Sequence, residues 1–240
     1  MNKPIIGIIS SRSEDSNPFL TKTSFNETYV KRIIEAGGIT IGIIFPNDEF
    51  NTDVLDLCDG FVMQGGLNIY SSNINAVHYA FLNKKPILGI CMGFQTMAGY
   101  EYLRNRYGMF TYKDVSSFFK PKDEVDFIEK KTGHDELNPF CLSKIEKSKH
   151  MVLLDKNSKL ANIFEKTYLN MPSVHSWCVK DDVFVKNTIY KVVGRSDDDN
   201  IEAIESVTSN WWAIGVQFHP ELEEDNLDLF KSLVNEVKRR

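Results

Sequence analysis

The chain has 240 residues, 42% of them hydrophobic and 25% charged, with a net charge of −5. These are the proportions of a soluble globular protein, and a chain this long buries enough surface to fold without staples, so wholesale disorder, a collagen-like rod and a disulfide mini-scaffold are excluded. The mild acidity argues against nucleic acid as the main partner, because phosphate binding leaves a basic footprint. No apolar run reaches the ~18–20 residues of a membrane span. The stretch 5–9 is too short and wrongly flanked for a signal peptide, so a cytoplasmic location and no membrane partner are expected.

Along the first hundred residues, short apolar runs alternate with helical patterns. Residues 4–9 read as a buried strand. In 25–36, Phe25, Tyr29, Val30, Ile33 and Ile34 fall on one helical face, and Gly37-Gly38 ends that helix. A strand is expected at 39–45, stopped by Pro46, then a short helix at 54–58. A strand at 60–63 leads into Gln64-Gly65-Gly66. A helix at 74–82, a strand at 86–90 and a helix at 92–98 follow. This alternation is most economically satisfied by a parallel sheet covered on both faces. Residues 104–149 break the rhythm as an excursion. Within them the mixed-charge run 120–131 reads as a solvated helix or an excursion, not a core element. Strands are expected at 151–154, 184–185, 189–193, 201–205 and 212–217, with a turn at 197–200, and a terminal amphipathic helix at 227–237. The whole chain, 1–240, reads as a single domain.

The four cysteines are Cys58, Cys91, Cys141 and Cys178. None forms a CxxC pair, so no zinc site is expected. Cys91 alone has distinctive flanks: Gly89-Ile90-Cys91-Met92-Gly93 joins an apolar strand to a helical pattern, the setting of a nucleophile elbow with Cys in place of Ser. The free N–H groups at the helix start would favour negative charge there, and the Met92 N–H would face a developing oxyanion. On this pattern alone Cys91 reads equally well as a buried strand-end cysteine. The other three read as core or surface residues.

A thiol nucleophile needs a base, and usually a group that orients the base. Gln217-Phe218-His219-Pro220-Glu221 follows an apolar strand. His219 and Glu221, two apart in extended chain, can point to the same side, so Glu221 could hold the His219 imidazole. The Gly65-Gly66 turn follows its own strand and falls at the same sheet edge as Cys91, where such sheets bind ligands. Trp211 and Trp212 are expected to alternate between core and surface. His134 and His150 read as surface residues. His78 reads as a residue of the helix after the glycine turn, with lining the pocket as the alternative.

The strand-GICMGFQ elbow, the upstream QGG turn and the downstream GVQFHPE run resemble the class I glutamine amidotransferases, in order along nearly the whole chain. More narrowly, the YVKRIIEAGG helix, HMVLLDKNSKLANIF and IEAIES are similar to the gamma-glutamyl hydrolase branch, which includes gamma-glutamyl-GABA hydrolases. The resemblance implies an α/β, flavodoxin-like parallel-sheet core with helices on both faces, and an added antiparallel strand-rich portion in the C-terminal half. It implies Cys91 as nucleophile, His219 as base, Glu221 as orienting acid and Gly66 and Met92 as oxyanion donors. Gly65, Gln95, His175 and Ser176 would contact the glutamyl group. This sequence departs from the branch at Gln64, Met92, Gly99-Tyr100 and Pro172-Ser173-Val174-His175-Ser176-Trp177, all near the expected substrate wall.

The reading that follows is a cysteine-dependent hydrolase of gamma-glutamyl amide bonds, needing no metal or cofactor and acting on a small gamma-glutamyl molecule, with a homodimer left open. One alternative is a glutaminase component that supplies ammonia to a synthetase partner. A second is a non-catalytic binding module on the same fold.

Overall fold

The computed structural model describes residues 3–14, 17–108, 110–118, 126–131, 148–185 and 187–239. Its elements run β1 (Ile5–Ile9), β2 (Ser11–Ser13), β3 (Lys22–Ser24), α1 (Glu27–Glu35), β4 (Ile39–Ile43), α2 (Asp53–Asp56), β5 (Gly60–Met63) and α3 (Ser71–Leu82). Then come β6 (Ile87–Ile90), α4 (Met92–Tyr107), α5 (Tyr112–Phe118), β7 (Ile128–Lys130), β8 (Lys149–Leu154), α6 (Lys159–Phe164) and β9 (Tyr168–Pro172). The chain continues through β10 (Trp177–Val179), β11 (Tyr190–Ser196), β12 (Ile201–Ser206), β13 (Ala213–Val216) and α7 (Leu227–Lys238).

Among the described residues, nine strands form one sheet in the order β4-β1-β5-β6-β13-β12-β11-β8-β9. The first five are mutually parallel and the rest are added antiparallel. This is the flavodoxin-like core with its strand-rich C-terminal half. Side chains alternate across the sheet, as a period of two requires. Ile6, Ile8, Val62, Leu88, Ile90 and Val216 share one core with Ile33, Phe230 and Leu233 of α1 and α7. Phe61, Met63 and Ile87 face the other, with Ile74 and Val77 of α3 and Phe94 and Met97 of α4. Strands buried on both faces explain why β1, β5 and β6 are continuous apolar runs.

Most expected elements of the first hundred residues form, and α4 runs nine residues past the expected end at 98. Three expectations are corrected. In the charged run, 120–125 lie outside the described residues, but Ile128–Lys130 form a strand paired with β10. Phe127 and Ile128 are each 3% exposed. The Phe127 ring packs on Tyr102 at 5.7 Å and over Gly99, where a Cβ would strike it. Two apolar residues among charges are enough for a short strand when a neighbour covers them. The expected strand at 184–185 is instead the end of a 3-10 turn, Asp181–Phe184, two apolar residues being too short a run to hold a register. Trp211 and Trp212 are both buried. They fall in opposite cores, since both sheet faces are covered there.

Candidate active site

Cys91 ends β6 and caps α4 with φ 53° and ψ −109°, a conformation that costs a non-glycine residue energy and persists only when neighbours impose it. The Cys91 N–H donates to the Val216 carbonyl of β13 (2.8 Å), and its carbonyl accepts from the Gln95 N–H of α4 (3.0 Å). Gly93 makes the turn possible: a Cβ there would collide with the Met63 carbonyl of β5. Cys91 is 7% exposed, and its Sγ lies 4.0 Å from the Val174 carbonyl oxygen.

Beyond β13 the chain makes a 3-10 turn, Pro220–Leu222, and the His219 N–H donates to the Pro172 carbonyl (2.9 Å). His219 Nδ1 lies 2.7 Å from Glu221 Oε1, and Glu221 is 2% exposed. Burial opposes charge on His219, but the Glu221 carboxylate and Cys91 outweigh it and hold the imidazole well above its ordinary range. Arg32 of α1 donates from Nε to the Glu221 carbonyl (3.1 Å) and pairs with Glu35, which pins the turn to the helix.

Gly65 adjoins both groups. A Cβ there would stand 3.1 Å from His219 Cε1, 3.1 Å from the Tyr29 hydroxyl and 3.5 Å from Cys91 Cβ. The Gly65 N–H donates to the Tyr29 hydroxyl (3.1 Å). Burial and the neighbouring Glu221 and Cys91 push the Tyr29 phenol well up, so it stays neutral. Gly66 packs under Ser11 and the Met92 side chain. Gln64 is a tie: Oε1 accepts from the Asn26 N–H (2.9 Å) and Nε2 donates to the Ser24 carbonyl (2.8 Å). Asn26 in turn caps α1, so the glycine turn is fastened to the helix carrying Tyr29 and Arg32. In the sequence Tyr29 is one apolar position of the α1 face and Arg32 carries no mark of its own. Their i, i+3 spacing on one helix face was the available signal.

The structure places the expected glutamyl-contacting side chains partly inward. Gln95 is buried, and its amide donates to the Trp177 carbonyl (2.8 Å) and Gln217 Oε1 (3.0 Å). His175 Nε2 lies 3.5 Å from Glu202 Oε1, and its Nδ1 is 3.2 Å from the Trp177 carbonyl oxygen and 3.8 Å from Cys178 Sγ. The Ser176 carbonyl accepts from the Lys131 N–H (3.0 Å). His150 is not a surface residue: its Nε2 lies 3.3 Å from Glu202 Oε2, with the side chain 14% exposed. Cys178, His175 and Glu202 repeat the residue types of Cys91, His219 and Glu221. Yet burial and then the Glu202 charge push the Cys178 thiol up to about 12, so it is held as an inert neutral thiol. His78 packs among Tyr100, Phe110 and Tyr112, with Nδ1 3.0 Å from the Tyr100 hydroxyl. Cys58 is buried and its thiol raised to about 11 by burial. Cys141 and His134 lie outside the described residues. Among the described residues no group of His, Cys, Asp and Glu is arranged to hold a metal ion.

A parallel sheet with a strained cysteine elbow beside a His–Glu pair places this protein in the class I glutamine amidotransferase-like superfamily. The chain belongs to the peptidase C26 family, whose model matches residues 4–79 and 71–221. It is 31% identical to a CTP synthase of Thermotoga maritima, over 73% of this chain and 34% of that protein. It is 28% identical to a glutamine amidotransferase-like protein of Rickettsia prowazekii, over 98% of both. The chain therefore spans about a third of the CTP synthase and nearly all of the Rickettsia protein. Among solved structures, the glutaminase domain of Trypanosoma brucei CTP synthase with bound acivicin aligns with TM-score 0.65 at 15% identity, covering 99% of this chain and 94% of that one. A GMP synthase component from Thermoplasma acidophilum aligns at TM-score 0.64 and 16% identity, covering 100% and 96%. At such identities these two establish the fold.

Proposed function

We propose that the protein hydrolyses gamma-glutamyl amide bonds with Cys91 as nucleophile. The observation that carries this is the 2.7 Å His219–Glu221 pair set against an elbow cysteine that interacts directly with the His219 ring, with the side-chain-free Gly65 beside both. The Cys91 thiol gives its proton to His219 as its sulfur attacks the gamma-carbonyl carbon. The carbonyl oxygen takes the electron pair and is met by the Met92 and Gly66 N–H groups, each such donor being worth ~10²-fold or more in rate. As the C–N bond breaks, His219 gives its proton to the leaving amine. His219 then takes a proton from water, which attacks the thioester; glutamate leaves and Cys91 is regenerated. Glu221 keeps Nδ1 protonated and the ring in place throughout.

The test is glutamate release from a panel of gamma-glutamyl amides and free glutamine, comparing wild type with Cys91→Ala. Release from an amide, abolished in the variant, supports the hydrolase. No release by wild-type protein whose Cys91 remains reactive to alkylation would count against it. A second reading is favoured by the matches to a CTP synthase and a GMP synthase component: the same chemistry on glutamine, with ammonia passed to a synthetase partner. Slow release from glutamine alone, rising when a synthetase is added, would select it.

A further inference from the structure

The side chain that the mechanism leaves unused is also the most completely buried acid near it. Glu202, on β12, is 0% exposed and faces two imidazoles: His150 Nε2 from β8 at 3.3 Å and His175 Nε2 from the segment between β9 and β10 at 3.5 Å. A carboxylate removed from water must be compensated, because its desolvation otherwise outweighs any local attraction. Burial here opposes the charge, yet the two histidines hold the Glu202 carboxyl below its usual range. Burial opposes charge on His150 too, but Glu202 and the nearby Asp197 and Asp198 raise it. Glu202 is thus an ionised clamp between two rings.

One of those rings sits in the wall of the site. The segment 172–177 runs beside the two candidate catalytic groups and is held there by its backbone. The Pro172 carbonyl accepts from the His219 N–H, the Val174 carbonyl faces Cys91 Sγ, and the Trp177 carbonyl accepts from Gln95. His175 is in the middle of this segment with its ring turned away from Cys91 and into the clamp. The Glu202 main chain is tied to the same region, since its carbonyl accepts from the Gln217 N–H (2.8 Å), and the Gln217 side chain receives Gln95.

We propose that Glu202 is a positioning residue for substrate: by fixing His175 as a donor at Nε2 it holds the 173–177 segment at its distance from Cys91 and so sets the fit of the glutamyl group. This rests on the hydrolase reading above. It makes His175 a brace of the binding wall.

Glu202→Gln keeps the shape and removes the charge. With a gamma-glutamyl substrate, KM is expected to rise about tenfold, the scale of one lost charge-assisted hydrogen bond, while kcat falls less than about threefold. Alkylation of Cys91 by iodoacetamide should keep the wild-type rate, because the Cys91–His219–Glu221 arrangement is untouched. His175→Gln should raise KM alike, and the double variant should be no worse than either single one. An unchanged KM in Glu202→Gln overturns the proposal. So does a fall in kcat and alkylation together with KM, which marks a general loosening. A second readout needs no substrate. The imidazole ¹H–¹⁵N NMR spectrum of the wild type should show a protected His175 Nε2–H that is lost or shifted in Glu202→Gln. Its absence from the wild type, or its persistence unshifted in the variant, overturns the proposal even if the wild type hydrolyses nothing, an outcome that would defeat the hydrolase reading by itself.

Discussion

The Tyr29 hydroxyl accepts the N–H of Gly65 at 3.1 Å and lies beside Glu221, so one phenol joins the glycine turn to the acid that holds His219. The turn and the His219–Glu221 pair lie about 150 residues apart in sequence and are delivered by different strands. Their relative position depends on α1, which presents Tyr29 and, a turn later, Arg32.

Tyr29→Phe keeps the ring and removes the acceptor. A buried N–H left without a partner costs about 1–3 kcal/mol. Thermal unfolding should register that loss, and kcat should fall more than KM rises, since Gly65 adjoins Cys91 and His219.

Glu221→Gln should lower kcat by about 10²-fold or more, as expected when the group orienting a general base is lost. Its pH signature follows from the raised His219. The stabilisation is fully present below the unfolded value near 6.5 and is lost as pH rises through the folded one. The Tm gap between wild type and Glu221→Gln should therefore be widest at about pH 6 and close in alkaline buffer. A gap that widened with pH would contradict the protonated His219.

Gly65→Ala inserts a methyl 3.1 Å from His219 Cε1 and 3.5 Å from Cys91 Cβ. Contacts of that kind force shifts of a few tenths of an ångström, and misplaced reacting groups lose rate steeply. Glutamate release should drop by about tenfold or more while unfolding temperature changes little. Equal activity in wild type and variant would show that the space Gly65 leaves beside His219 and Cys91 is not part of the reacting geometry.

Phe127→Ala tests whether the charged run carries core. Removing a buried phenyl costs about 3 kcal/mol or more, which lowers Tm by roughly 6–12 °C in a chain of this size. Lys130→Ala, two positions from the buried Ile128 on an exposed side chain, should leave Tm within about 1 °C.

What could be read from the sequence was local. The strand at 60–63 matches its expected bounds, and the elbow at Cys91 and the approach of His219 to Glu221 are marked by five-residue patterns. A glycine on each side of Cys91 and a proline after His219 act within a turn, so no distant partner is needed to recognise them. The roles of Glu202, His150, Tyr29, Arg32 and Phe127 are not legible in the sequence, because they arise from approach between elements far apart in the chain. Burial of a charge depends on which strand lies beside it, and only the placement of β12 between β13 and β11, with β8 and the 173–177 segment nearby, puts two imidazoles on Glu202. The reacting groups are thus legible as local chemistry, whereas the wall that orders them is a property of the packed sheet.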